Sequence, residues 1–311
     1  MGLGNLLSKL LARLIQGKGH GVAELARRLG MPAADLRAVE PVYREFAIAK
    51  RDGGRRKILA PENNLKELQR RILRRLLARL KCHPAVHGFE RGKSIVSNAR
   101  CHVGKAVVLR FDLKDFFPST TAARVHRYFR KIGWNRAASK LLVRLCTHEG
   151  GLPQGAPTSP RLSNLVNYRL DARLAGLAAR PRLRNPRTGR LEPAQASATY
   201  TRYADDLTLS FATDDPKLIR NLIIQVKYLV GSEGYQLHLH KKLQIRRRHD
   251  RQLVTGLVVN ESVNLPRARR RWLRAVEHRL ARGQEATLTP AQVVAWRALA
   301  AMVARQRTST S

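Results

Sequence analysis

The stretch Tyr200-Thr-Arg-Tyr203-Ala-Asp205-Asp206-Leu-Thr-Leu-Ser-Phe211 constrains the fold more than any other. Tyr200 to Tyr203 has the β-branched and aromatic content of a short strand. Leu207, Leu209 and Phe211 alternate with Thr208 and Ser210, the period of two of a half-buried strand. Ala-Asp-Asp between the runs reads as a tight turn, giving a hairpin with two adjacent carboxylates at its tip. Neighbouring anions raise each other's pKa unless a cation neutralises them. A hard divalent cation such as Mg²⁺ does so, since it prefers carboxylate oxygen. An Asx-type turn is the competing explanation, and for an isolated Asp-Asp pair it is the commoner one.

Charge narrows the partners. The chain carries 60 Lys+Arg against 22 Asp+Glu, a formal net charge of +38. Self-repulsion of that size is tolerable when a polyanion neutralises it, so nucleic acid is the leading partner. An anionic membrane surface is the competitor, but no run approaches the ~18 apolar residues of a span, and no membrane association is expected. Residues 6–15 read as an amphipathic helix rather than a signal peptide. Cys82, Cys101 and Cys146 are odd in number and widely spaced, which points to reduced thiols in the cytoplasm and no zinc site. A chain of 311 residues with 43% hydrophobic content can bury a sizeable core, in two domains or one large domain with subdomains.

In chain order, residues 19–40 read as helix, glycine turn, helix. A helix-turn-helix has this outline, but two small packed helices are the commoner meaning, with little polar variety for reading base edges. Tyr43 to Pro61 reads as a hairpin whose tip, Lys50 to Lys57, is strongly basic; Lys and Arg there could clamp phosphoryl oxygens. Residues 65–80 have helical spacing and a basic face. Val107 to Phe111 reads as a buried strand ending at Asp112, a usual place for a catalytic carboxylate. Helical spacing returns from Ala122 to about Cys146. Gly150 to Pro160 has three prolines and three glycines in eleven residues, so it is a loop, followed by a helix with Ser159 as N-cap. A small-residue loop of this kind allows close backbone approach to a flat ligand, although a structural turn looks similar. Residues 181–196 read as a loop and 216–231 as a helix. Residues 237–245 and 254–259 read as strands, and everything from Arg267 as helix. Seven arginines between Arg267 and Arg282 form a basic arm suited to RNA or DNA backbone. The sum is an α+β pattern of the split βαβ kind.

Asp112 and Asp205-Asp206 meet if their strands are neighbours. Three carboxylates there can hold two Mg²⁺ ions roughly 3.5–4 Å apart, the arrangement for in-line nucleotidyl transfer.

Together the motifs resemble those of a reverse transcriptase: Phe111-Asp112…Phe117, Leu152-Pro-Gln-Gly155…Ser159-Pro160 and Tyr203-Ala-Asp-Asp206, over about residues 43–260. Asn98-Ala-Arg-Cys-His102 and Val254-Thr255-Gly256 resemble signatures of bacterial retron reverse transcriptases. The resemblance implies a right-hand polymerase fold: N-terminal helices and fingers in 1–104, a ferredoxin-like palm in 105–262 with a helical fingers–palm segment at about 121–196, and a small helical thumb in 263–311. It implies that Asp112 and Asp205 ligate metal, with Asp206 beside them. It makes Phe117 a gate against the 2′-hydroxyl, and Gln154, Gly155 and Ala156 contacts to nucleotide and template. Lys50 and Arg56 would hold the triphosphate, and Lys241 or Lys242 would help neutralise pyrophosphate. Asn98, His102, Val254, Thr255, Gly256 and Arg267, Arg269, Arg270, Arg271 and Arg274 become candidates for recognising RNA; for His102 a structural histidine is an equal alternative.

The implied substrates are deoxynucleoside triphosphates and a cognate structured noncoding RNA, primed from the 2′-hydroxyl of an internal guanosine. The implied product is branched multicopy single-stranded DNA, in anti-phage defence. A retron effector protein and a host ribonuclease H are the further implied partners. A maturase-like enzyme that aids intron splicing, and a non-catalytic RNA-binding or helix-turn-helix regulator, are the alternatives. A maturase would continue into a larger region than 311 residues accommodate, and a pure binder has no need of clustered anions facing a polyanion.

Overall fold

The computed structural model describes residues 19–49, 53–184, 190–194, 196–238 and 243–308. The amphipathic stretch expected at 6–15 lies outside them. The helices, in chain order, are α1 (Val22–Leu29), α2 (Ala33–Ala38), α3 (Asn63–Ile72), α4 (Ile95–Arg100), α5 (Phe116–Ser119), α6 (Ala122–Lys131), α7 (Arg136–Cys146), α8 (Ser159–Val166), α9 (Tyr168–Ala179), α10 (Pro216–Ser232), α11 (Arg267–Ala281) and α12 (Pro290–Thr308). The strands are β1 (Tyr43–Ala49), β2 (Arg55–Pro61), β3 (Val107–Asp112), β4 (Arg182–Arg184), β5 (Leu191–Pro193), β6 (Ala198–Tyr203), β7 (Asp206–Phe211), β8 (Gln244–Arg247), β9 (Leu253–Val254) and β10 (Leu257–Val258). They group into two compact units that cut across chain order, Met1–His83 with Asp115–Arg169, and Pro84–Lys114 with Leu170–Ser311.

The first unit is mainly helical. α1 buries Val22, Leu25, Ala26 and Leu29, one face of a helix, and Gly30 ends it in the left-handed region at φ 65°, where only glycine sits without strain. α3 buries Leu65, Leu68 and Ile72 and runs into a π-helical turn, Leu73–Leu77. The helical spacing from 122 to 146 is divided between two helices: Gly133 adopts φ 99°, and the Asn135 side chain accepts from the Ala138 amide at 2.9 Å to start α7. Leu29, Ile72, Phe129, Leu142 and Leu162 meet in one core, each such side chain contributing roughly 1.5–3 kcal/mol. β1 and β2 form the expected basic hairpin, registered from Tyr43↔Pro61 to Ala49↔Arg55.

The second unit is built on a four-stranded antiparallel sheet in the order β6-β7-β3-β8. This is the split βαβ order: the first and third strands are central, the second and fourth at the edges. Strand alternation sorts the side chains. Val107, Leu109, Phe111, Leu207, Leu209 and Phe211 face one side and are buried. Val108, Arg110 and Asp112 share the other side with their partners Ser210, Thr208 and Asp206.

Several sequence expectations shift here. The N-cap of α8 is Thr158, with Ser159 in the first turn, and the helix breaks at Asn167 before α9. The polar 181–196 stretch contains the short pair β4–β5. Leu237 makes a bridge with Leu113, and β8 pairs with β3 from Gln244. Val254 to Val259 is no continuous strand. Thr255 (φ 48°) and Gly256 (φ 81°) turn it into the hairpin β9–β10, since two successive positive φ values make the tight turn that fits twisted strands.

Candidate active site

The site begins with register. Asp112 is the last residue of β3 and lies directly opposite Asp206, the first of β7. Asp205 occupies the turn between β6 and β7, and its carbonyl accepts from the Leu113 amide at 3.0 Å. The three aspartates are thus gathered at one end of two central strands. The Asp112 side chain is 12% exposed, with His238 Nε2 3.8 Å from its Oδ1. The Asp206 side chain is 30% exposed and takes the Arg110 guanidinium at 3.1 Å. Arg110 shares its face of the sheet, and nothing in its spacing marked it beforehand.

A hard dication fits the donor chemistry of this end of the sheet, with two carboxylates opposite each other and a third one residue away. The side chains are not closed around one point, however: among the described residues no group of three His, Cys, Asp or Glu converges closely enough to hold a metal ion.

The residues expected to contact nucleotide fall in the first unit, apart from Lys241 and Lys242. Lys50, Lys241 and Lys242 lie outside the described residues. Arg56 is exposed on β2 opposite Ile48. The Gln154 carbonyl accepts from the Leu59 amide at 2.8 Å. Gly155, at φ 129°, lies so close to β2 that an added Cβ would come 2.8 Å from the Leu59 carbonyl oxygen. Ala156 is buried. The loop is therefore docked on the basic hairpin, which brings Gln154 and β2 together. Phe117 packs its ring 5.4 Å from that of Phe116, against the core of this unit.

The residues expected to recognise RNA divide into buried and exposed. His102 is fully buried, its Nδ1 2.7 Å from Ser210 Oγ and its Nε2 2.7 Å from Thr201 Oγ1. Asn98 and Val254 are also buried. These three are buried and present no surface to a polyanion; His102 and Val254 pack on the face of the sheet that carries Val108 and Ser210. Thr255 Oγ1 donates to the Ile95 carbonyl at 3.0 Å, tying the β9–β10 turn to α4, and Gly256 is exposed. On α11, Arg267, Arg270, Arg271 and Arg274 are exposed. Arg269 differs, with its guanidinium carbon 5.0 Å from the Trp272 ring and 4.9 Å from the Trp296 ring. It joins α11 to α12 by cation–π stacking.

The reverse transcriptase (RNA-dependent DNA polymerase) family model matches residues 48–259. Retron Mx65 reverse transcriptase of Myxococcus xanthus is 40% identical over 261 residues, covering 78% of this chain and 57% of that protein. Retron Mx162 reverse transcriptase of the same organism is 37% identical, covering 86% of this chain and 62% of that protein. Retron Ec86 reverse transcriptase of Escherichia coli is 36% identical, covering 84% and 75%. The chain therefore spans less than two thirds of the length of the two Myxococcus relatives. Among solved structures, telomerase from Candida albicans with a fragment of telomeric RNA aligns at 12% identity and a TM-score of 0.48, over 84% of this chain and 50% of that one. With three aspartates at one end of a split βαβ sheet and these relatives, the chain belongs to the reverse transcriptase family, with its α+β right-hand polymerase fold, and within it to the retron reverse transcriptases.

Proposed function

We propose that this protein is an RNA-directed DNA polymerase of a retron, which uses a cognate structured noncoding RNA as template and primer. The observation that carries the reading is the register of Asp112 against Asp206, with Asp205 in the adjoining turn. In the reaction the 2′-hydroxyl of an internal guanosine attacks the α-phosphorus of a deoxynucleoside triphosphate, forming a 2′,5′ ester and releasing pyrophosphate. Extension from the added nucleotide gives branched multicopy single-stranded DNA. Asp112 and Asp205 would hold two Mg²⁺ ions, with Asp206 beside them. When bound, the ions favour ionisation of the attacking hydroxyl and neutralise charge on the phosphates.

Arg56 and Lys50 on the basic hairpin would hold the triphosphate, with Lys241 or Lys242 on the pyrophosphate side. Gln154, Gly155 and Ala156 would support the nascent pair, and Phe117 would exclude ribonucleotides. The exposed arginines of α11 and the Thr255-Gly256 turn would face RNA. In this reading 1–104 supplies N-terminal helices and fingers, 105–262 the palm with its 121–196 segment, and 263–311 the thumb. A host ribonuclease H would remove template, and a retron effector protein would link the DNA to anti-phage defence. The setting would be the cytoplasm; no helix among the described residues is long and apolar enough to cross a membrane.

The test is to purify the protein and look for a co-purifying branched RNA–DNA species, then repeat with Asp205→Asn and Asp206→Asn together. The double variant should make no DNA in Mg²⁺ yet still bind the RNA. Continued synthesis would refute the metal-site reading, and an unbranched product would refute the priming step.

A further inference from the structure

Behind the aspartate turn lies a buried ion pair to which nothing above gives a function. Arg202 of β6 and Asp171 of α9 are both fully buried. Arg202 Nε and Nη2 donate to the two oxygens of Asp171, each at 2.7 Å, and Tyr200 donates its hydroxyl to the same carboxylate at 2.8 Å. The third edge of the guanidinium is turned elsewhere: Nη1 donates to the Ala204 carbonyl at 3.0 Å. Ala204 precedes Asp205 and sits at φ 57°, a left-handed conformation that strains a residue with a Cβ.

The backbone around Arg202 is clamped as well. Its amide donates to Ala85 at 2.9 Å and its carbonyl accepts from His87 at 2.8 Å. Gly88 lies against the turn, since a Cβ there would come 2.6 Å from the Ala204 nitrogen. A buried ion pair is a poor way to fill a core, because an apolar pair of similar volume is often as stable. A guanidinium can grip a carboxylate at two points and still donate in plane to a third acceptor, which an ammonium cannot do with the same geometry.

We propose that Asp171 and Arg202 are positioning residues that hold the Ala204–Asp205 turn in the conformation from which the Asp205 carboxylate acts. Asp171 orients Arg202, Arg202 holds Ala204, and Ala204 sets the direction of Asp205. The inference rests on the reading of Asp205 as a metal-holding carboxylate.

The test uses the full chain with Asp171→Leu/Arg202→Met, which keeps an apolar core, and with Arg202→Lys, which keeps the charge but loses the Ala204 bond. Three quantities are measured: hydrogen exchange over 200–211 and at the Leu113 amide in the absence of metal, binding of Mn²⁺ by the free-ion resonance signal, and single-nucleotide incorporation. Both variants should exchange faster in the turn, bind Mn²⁺ more weakly, and lose about 100-fold in kcat with KM for the nucleotide unchanged, the scale of a misplaced catalytic group. If the double variant does not fold, Arg202→Lys alone decides. Parent-like exchange and parent-like kcat in a folded variant would overturn the proposal. Asp205→Asn runs in parallel: if it still makes DNA, the metal-site reading has failed, while the exchange data still judge the positioning.

Discussion

The buried imidazole of His102 should make the protein's stability depend on pH in a measurable way. Both ring nitrogens meet hydroxyls, Ser210 on one side and Thr201 on the other, so a neutral ring is satisfied by donating to one and accepting from the other. A second proton would place a charge in the core. Burial first, then His87 and Lys105, lower the pKa from the ordinary 6.5 to about 3. A lowered pKa means that the unfolded chain binds a proton the folded chain refuses. Stability from this residue is therefore complete above pH 6.5, and is lost as the pH falls from there toward 3. Linkage gives about 2 kcal/mol lost at pH 5 relative to pH 8. His87, lowered to about 4 by burial and then Lys93, adds about 2 kcal/mol by the same reasoning. Urea denaturation of the parent, His102→Gln and His87→Gln at pH 8 and pH 5 reads these terms. Each substitution should shrink the difference between the two pH values by about 2 kcal/mol, whatever it does to stability at pH 8. An unchanged difference in His102→Gln would refute the buried-neutral assignment. A histidine in contact with RNA would instead show its pH dependence in RNA affinity, with the urea difference unmoved.

Other consequences can be checked separately. Phe117→Ala should incorporate ribonucleotides more readily than the parent, read as the ratio of kcat/KM for ribo- and deoxynucleotides; an unchanged ratio removes the gate. Changing Arg267, Arg270, Arg271 and Arg274 to Gln should reduce the salt dependence of RNA affinity by about 0.7–0.9 in log–log slope per lost phosphate contact. Arg269→Gln should leave that slope alone and lower the melting temperature, since its guanidinium is stacked on Trp272 and Trp296. Gly155→Ala forces a Cβ into the Leu59 carbonyl at φ 129°. It should cost roughly 2 kcal/mol or more, seen as a lower melting temperature together with a raised KM for the nucleotide.

What the sequence made legible was whatever has a local period or a local breaker. The β6–β7 hairpin, the basic β1–β2 hairpin and β3 ending at Asp112 all follow from alternation and turn residues. The split βαβ order follows from their succession. What it hid depends on contacts distant in the chain. Arg110 reads as one more cation until register puts it beside Asp206. Asp171 lies 31 positions from Arg202 on a helix with no motif of its own. Asn98 and His102 carry polar side chains, and the sequence leaves His102 open between an RNA contact and a structural histidine, whereas in the fold its ring is spent on two hydroxyls of the sheet. Local rules failed in a recognisable way at Thr255, where a β-branched residue occupies a positive φ that strand propensity would not allow. Its hydroxyl is anchored to Ile95.

The most informative anion in this basic chain is Asp112. Several carboxylates of the chain are matched to permanent cations: Glu24 to Arg27 and Arg28, Glu45 to Lys57, Asp171 to Arg202, Asp214 to Arg247 and Glu277 to Arg297. Asp112 Oδ1 lies 3.8 Å from His238, which carries charge only when protonated, and directly opposite stands another carboxylate, Asp206, itself beside the Arg110 guanidinium. Like charges facing each other across strands cost about 0.2–1 kcal/mol. Relieving that repulsion in the metal-free protein should be neutral or slightly stabilising, so Asp112→Asn should melt at or above the parent without divalent cation. In the parent, Mg²⁺ should raise the melting temperature, because an ion that binds only the folded form stabilises it in proportion to its occupancy. Asp112→Asn should lose most of that rise. If the parent gains no stability from Mg²⁺, or if Asp112→Asn is strongly destabilised without it, then the opposed carboxylates are a structural feature, and the case for a metal at this end of the sheet falls with them.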